Sequence, residues 1–181
     1  DGRPWMGMHT YHRCAYDAAS RRTVIHTSSG AYLFDAARRA FPAWAALGPE
    51  GRLPYLKRFA EGIRARAKDL AAVETMDNGS LLAGNLHRVI PRAAQNIAFF
   101  ADWALTLQDH AIDSPEVVNH VRYDPSGVSA LVTPWNAPLM LTTWKVGPAL
   151  AAGNTVVVKP PEWAPMTCSL MADIAHAAGI P

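Results

Sequence analysis

Asn136 stands in the stretch TPWNAPL, residues 133–139, at the abrupt end of an apolar run, Val128-Ser129-Ala130-Leu131-Val132. A side-chain amide held between Pro134 and Pro138 offers two N–H donors on a backbone that proline restricts, which suits stabilisation of a developing oxyanion. An asparagine beside proline also forms Asx turns, and that second reading stands next to the first. Trp135 either walls a cofactor or substrate pocket or caps a core. Lys159 and Glu162 form the other constellation: an ammonium and a carboxylate that can divide a ribose diol, donor to one hydroxyl and acceptor from the other. The plainer alternative is a strand-end lysine reaching water and an acid near a helix start, favoured by the dipole. His87, His110, His120 and His176 lie too scattered for a metal site, and no nucleophile pair or carboxylate pair is evident.

The elements around these residues explain why they should meet. Residues 128–132 read as a buried strand, 139–152 as an apolar, Ala-rich helix closed by Gly153, and Thr155-Val156-Val157-Val158 as a second buried strand. Strand, helix, strand is a βαβ unit with parallel strands. Ligands of open parallel sheets bind beyond the carboxyl ends of strands, so residues 133–138 and 159–162 are expected to be neighbours. A GxGxxG turn is absent there, although Glu162 supplies the acid that such folds place near a ribose. Pro160 and Pro161 stop the strand, and Pro165 opens a last helix running to about residue 178.

Upstream, residues 1–30 read as an irregular or short-stranded lead-in, trimmed or internal at its start. From Ala31 the spacing of Phe34, Ala37, Phe41 and Trp44 is helical, with Pro42 expected to kink or end the helix. A helix from Pro49 carries Leu53, Leu56, Ala60, Ile63, Ala67 and Leu70 on one stripe, and residues 77–80 supply turn chemistry. A third stripe runs Leu86, Ile90, Ala93, Ile97, Phe100, Ala104 and Leu107, interrupted by Pro91. Around Val117, Asn119, Val121 and Tyr123 the period becomes two, one face polar, which predicts an edge ribbon able to pair with another subunit. The expected plan is a lead-in over 1–30, a helical part over 31–110, a ribbon over 111–127 and the first βαβ with its following helix over 128–181. The fold class is α/β, a doubly wound parallel sheet of the Rossmann-like kind, incomplete here.

Composition narrows the function classes. The chain has 181 residues, 50% hydrophobic and 18% charged, with a net charge of +2, which suits a globular core. No run of about 18 uncharged apolar residues is present, so no spanning helix is expected. Cys14 and Cys168 lie outside any CxxC spacing, which indicates neither a disulfide framework nor a zinc site and fits a reducing, cytoplasmic setting. From Arg38 to Lys68 basic residues outnumber acidic ones. On amphipathic helices this reads as a solvated face in preference to a nucleic-acid patch.

The string LVTPWNAPLMLTTWKVGPALAAGNTVVVKPPEWAPMT closely resembles the aldehyde dehydrogenase superfamily, and AARRAFPAW, ETMDNGS, FFADWA and YDPSGVSALVTPWN follow that family's order. The resemblance implies NAD(P)-dependent oxidation of an aldehyde to an acid. A cysteine thiolate attacks the carbonyl to give a thiohemiacetal, and a side-chain amide with a backbone N–H holds the oxyanion. Hydride then passes to the nicotinamide, and a glutamate activates water. By matching positions, Asn136 resembles the oxyanion amide; Val132, Thr133, Pro134 and Trp135 resemble the cofactor-lining strand end; Lys159 and Glu162, with Pro161 between them, resemble the adenosine-ribose site. An acid at Glu162 is similar to members that prefer NAD, with NADP left open, since a 2′-phosphate would be repelled. Lys145 resembles a relay lysine of some members or is a simple helix-surface lysine.

The same resemblance implies an aldehyde substrate, a homodimer or homotetramer, and no nucleic-acid or membrane partner. Ala137 stands where many relatives carry a bulky aromatic residue, and KPPEWAPMTCS is similar to the branch acting on semialdehydes or aromatic aldehydes. Neither Cys14 nor Cys168 lies in the nucleophile motif, and the glutamate base and glycine-containing turn belong to sequence beyond Pro181. An amino-terminal portion, inactive alone, is the expectation; a non-catalytic structural or binding relative is the alternative.

Overall fold

A computed structural model of the protein describes residues 14–17, 22–27, 30–33 and 35–181, with side chains from Ala36 onward. Strands β1 (Cys14–Asp17), β2 (Arg22–Thr27) and β3 (Gly30–Leu33) form an antiparallel sheet in the order β1-β2-β3. The lead-in is therefore short-stranded where it is described; the rest of residues 1–30 lies outside the described residues. The helical pattern expected from Ala31 begins later, because residues up to Leu33 pair with β2 and only Asp35 starts α1 (Asp35–Ala46).

Pro42 does not end α1. It removes one ladder bond, and the helix is held beyond it by the Trp44 indole, whose Nε1 donates to the Leu150 carbonyl at 3.1 Å. The long helix expected from Pro49 is two, α2 (Gly48–Ala65) and α3 (Ala67–Asn78), broken at Arg66, whose φ of −101° and ψ of 21° leave the helical region. Ile63 and Leu70 on either side of the break both reach the core, so packing wins over continuity of the stripe. The third stripe starts with a single turn, α4 (Leu82–Gly84). It widens into a π turn over Asn85–Val89 and continues as α5 (Ile90–Trp103) and a 3₁₀ turn, Ala104–Thr106. The π turn lies where the Pro91 ring would meet the His87 carbonyl in a regular helix.

Beyond it, β4 (His110–Asp113) pairs antiparallel with β5 (Val118–Val121) as a two-stranded ribbon. The helical reading to residue 110 thus overshoots, since the helix ends earlier and His110 is already in the ribbon. Strands β6 (Val128–Val132) and β7 (Thr155–Lys159) are parallel and joined by α6 (Pro138–Ala151), and α7 (Met166–Ala177) follows. The βαβ unit stands as expected, but β6 is only half-buried and Val132 is 62% exposed. Among the described residues β6 has a single partner, β7, which leaves its other edge and part of its face uncovered.

The core lies among α2, α5, α6 and α7. Leu56, Phe59, Ala60 and Ile63 of α2 meet Ile90, Ala93, Ala94 and Ile97 of α5 and Leu139, Val146 and Leu150 of α6. Burial of a side chain such as Phe59 contributes about 2 kcal/mol. Gly147 lets α6 approach α5: a Cβ there would lie 3.1 Å from Phe100 Cδ2 and 3.5 Å from the Asn96 carbonyl oxygen. α6 ends in a Schellman motif, with Gly153 at φ 93°, its N–H on the Leu150 carbonyl and the Asn154 N–H on Ala149, both at 3.0 Å. The Asn154 side chain then accepts from the Ser126 and Gly127 amides at 2.8 and 3.0 Å, fixing where β6 begins relative to β7.

The solvated-face reading of the basic stretch fails at Arg52, whereas Arg58 stays exposed while also bonding the chain. Arg52 is buried and donates to the carbonyls of Ala151, Trp44 and Ala45 at 3.2, 3.4 and 3.1 Å, tying α1 and α2 to the end of α6. Arg58 stacks on Tyr55 and donates to the Ala178 carbonyl at the end of α7. Among the described residues no helix is long and apolar enough to cross a membrane.

Candidate cofactor and oxyanion site

Parallel pairing runs to the ends of both strands, where Val132 stands opposite Lys159. The register is extended one residue further: Thr133, buried, donates to the Lys159 carbonyl oxygen through both its backbone N–H and its hydroxyl, each at 3.2 Å. The loop carrying Asn136 and the loop carrying Glu162 therefore leave the sheet side by side, as the βαβ reading expects.

The residues singled out in the sequence divide between these two loops. Trp135 is 53% exposed and Trp163 67% exposed, with ring centroids 5.8 Å apart and planes inclined by 53°. Among the described residues Trp135 caps no core; its indole bridges the two loops. Pro134 and Asn136 are exposed, and the Asn136 amide makes no hydrogen bond to another described residue. An Asx turn, in which Asn136 Oδ1 would accept from the N–H of residue 138, is ruled out because residue 138 is proline. Lys159 and Glu162 form an ion pair, both side chains partly buried. Glu162 precedes α7 by four residues, so the helix-start explanation of this acid does not hold. Pro161 between them is buried and fixes the chain there. Lys145, exposed on α6, donates from Nζ to the Val132 carbonyl oxygen at 2.5 Å, so it caps the strand end as well as facing solvent.

Comparison with known proteins gives this geometry a context. The sequence profile of the "Aldehyde dehydrogenase family" matches residues 23–181. The chain belongs to the aldehyde dehydrogenase family. It is 41% identical over 152 residues to 2-hydroxymuconic semialdehyde dehydrogenase of a Pseudomonas species, covering 81% of this chain and 31% of that one. Gamma-glutamyl-gamma-aminobutyraldehyde dehydrogenase of Burkholderia cenocepacia superposes with a TM-score of 0.77 at 40% identity, over 81% of this chain and 30% of that one. Betaine aldehyde dehydrogenase of Staphylococcus aureus, solved in complex with NAD+, superposes with a TM-score of 0.75 at 33% identity and the same coverage. The chain thus spans about a third of the length of the relatives it matches.

Within this aldehyde dehydrogenase chain the donor set fits a dinucleotide. Adjacent strand carboxyl ends, a cation and an acceptor held together, and an open aromatic pair are the groups that a ribose diol and flat rings require. The chemistry such a cofactor supplies when bound is acceptance of hydride. The groove between α2 and α7, about 610 Å³ and lined by Lys57, Arg58, Glu61, Gly62 and Ile174 among others, shares none of these residues.

Cys168 is no nucleophile in this fold. It is buried on α7, its Sγ lies 3.2 Å from the Thr142 hydroxyl, and burial pushes its thiol up to about 11. A group so protonated at neutral pH packs as a small apolar residue. Cys14 lies on β1.

Two acids beside the site were missed in the sequence. Glu74 on α3 is 1% exposed, and burial raises its pKa above the ordinary carboxylate range despite hydrogen bonds from Thr167 and Leu139 that oppose the shift. Its Oε1 accepts from the Leu139 N–H at 3.4 Å, and its Oε2 accepts from the Thr167 hydroxyl at 2.5 Å. Asp77, one turn later, accepts from the Met166 N–H at 2.7 Å, and burial raises its pKa too. The signal was available, because Glu74 continues the stripe Ile63, Ala67, Leu70 at spacings of 4, 3 and 4. An acid on a core stripe signals a buried, partnered carboxylate.

Proposed function

We propose that this chain is the amino-terminal, cofactor-side portion of an NAD(P)-dependent aldehyde dehydrogenase that oxidises an aldehyde to a carboxylic acid. The observation that carries this reading is the shared strand end, where Thr133 on Lys159 sets the Asn136 loop beside the Glu162 loop. Asn136 would donate its free amide N–H to the aldehyde oxygen as that oxygen gains charge. Lys159 and Glu162 would divide the adenosine ribose diol, with Val132, Thr133, Pro134, Trp135 and Pro161 lining the cofactor. The carboxylate of Glu162 disfavours a 2′-phosphate, which supports NAD over NADP.

The attacking cysteine and the water-activating glutamate are assigned to sequence outside this chain, since Cys168 is buried and protonated and no matching motif surrounds Cys14. The chain alone is accordingly inactive. Purified and incubated with NAD+ and benzaldehyde, it should give no NADH; aldehyde-dependent NADH would contradict the assignment.

Three finer expectations belong to the same reading. The ribbon β4/β5 exposes Ile112, Val117, Val118 and Tyr123, which supports its use as the homodimer or homotetramer contact. Ala137, half-buried after Asn136, leaves room for a semialdehyde or aromatic aldehyde; a preference of the intact enzyme for short aliphatic aldehydes would contradict it. A cytoplasmic, reducing setting is consistent with the free thiol of Cys168.

A further inference from the structure

Each of the two site loops runs into a helix, and both helices begin on the same face of α3. α6 starts at Pro138, two residues after Asn136, and α7 starts at Met166, four residues after Glu162. The first N–H groups of a helix have no partner within it. At α6 the Leu139 N–H is taken by Glu74 Oε1; at α7 the Thr167 hydroxyl is taken by Glu74 Oε2 and the Met166 N–H by Asp77. One carboxylate therefore holds the starts of both helices, and its neighbour one turn on holds the second again.

A desolvated acid is costly to keep, and an apolar side chain of similar volume would fill the same space. Glu74 faces Asp77 from its own helix and Cys168 from α7, neither of which offsets its charge. The Leu139 N–H and the Thr167 hydroxyl at the helix starts offset part of that burial cost without cancelling it. We propose that Glu74 is a positioning residue of the site: by bridging the first turns of α6 and α7 it fixes the Asn136 loop against the Lys159–Glu162 loop. Asp77 reinforces the α7 side. The clamp acts through Leu139 and Thr167, not on the substrate or cofactor. Its functional value rests on the oxyanion reading of Asn136, whereas the geometry it imposes does not.

The test is hydrogen–deuterium exchange on the chain, with Glu74→Leu removing both acceptors and Thr167→Val removing one donor. Amides of residues 139–142 and 167–170 should exchange about tenfold faster or more in both variants, while amides of residues 56–63 in α2 change far less. The close Trp135–Trp163 approach, read as an indole-to-indole nuclear Overhauser effect, should weaken with them. Glu74→Gln, which keeps an acceptor oxygen, should fall between, and Thr167→Ser should restore the native pattern. Should Glu74→Leu fail to fold, the Thr167 pair decides alone. Exchange that rises equally throughout, or stays unchanged at the two helix starts, overturns the proposal. No readout here involves turnover, so a failure of Asn136 as oxyanion donor would show separately, in the rate of the intact enzyme.

Discussion

Thr133 binds the carbonyl oxygen of Lys159 twice, through its amide and its hydroxyl, each at 3.2 Å. One carbonyl thereby ties the last residue of β7 to the first residue beyond β6, and both candidate loops start from that tie. Thr133→Val keeps the shape and the backbone bond but loses the hydroxyl. It should cost about 1 kcal/mol in urea unfolding and reduce NAD+ affinity through loosening of the strand ends. Unchanged stability and affinity would mean that the amide alone sets the register.

The Lys159–Glu162 pair is predicted to bind ribose. Lys159→Met should lower NAD+ affinity by about tenfold, as expected for loss of a charge-assisted hydrogen bond. Glu162→Ser should shift preference towards NADP+, because the repulsion of a 2′-phosphate goes with the carboxylate. Titration calorimetry of the intact enzyme with both dinucleotides measures this; an unchanged NADP+/NAD+ ratio in Glu162→Ser contradicts the role.

Arg52 joins three carbonyls from two distant parts of the chain. Arg52→Met should destabilise the fold by about 3 kcal/mol, since the end of α6 would lose charge-assisted bonds in a buried place. Lysine should rescue little, because a single ammonium cannot reproduce the guanidinium fork. A loss below about 0.5 kcal/mol, the scale of an exposed residue, would contradict this account of α1 and α6.

Glu74 gives a pH dependence of definite sign. Its folded pKa is raised by burial, so the folded state holds the proton more tightly than the unfolded state does. The contribution is most favourable below the unfolded pKa, near 4.5, and is lost as pH rises through the raised folded value. Asp77 shifts in the same direction. In urea unfolding between about pH 4 and 8, the stability of the native chain relative to Glu74→Gln should fall as pH rises. A relative stability that grows with pH would require a depressed pKa and contradict the burial argument.

The βαβ unit was legible because β6, α6 and β7 differ sharply in period and Gly153 marks the cap. The pairing of the two loop starts followed from parallel topology alone. What stayed hidden depends on packing. Nothing local at Arg66 breaks α2 from α3, and nothing in the run 128–132 says that Val132 is open on one side. Arg52 was read by type, as surface charge, and Glu74 was given no role beyond its place in the string ETMDNGS, although both sit on core-facing positions. Asn136 is the opposite case. Proline at 138 already rules out its Asx turn, and the structure leaves its amide free.

The central claim is that this free amide stabilises the oxyanion. It is tested most directly by kcat of Asn136→Ala in the intact enzyme, alongside its NAD+ dissociation constant. A fall in kcat of about 10²- to 10³-fold with NAD+ affinity nearly unchanged is the predicted result. A kcat within about threefold of the native value, far below the loss expected for an oxyanion donor, would contradict it.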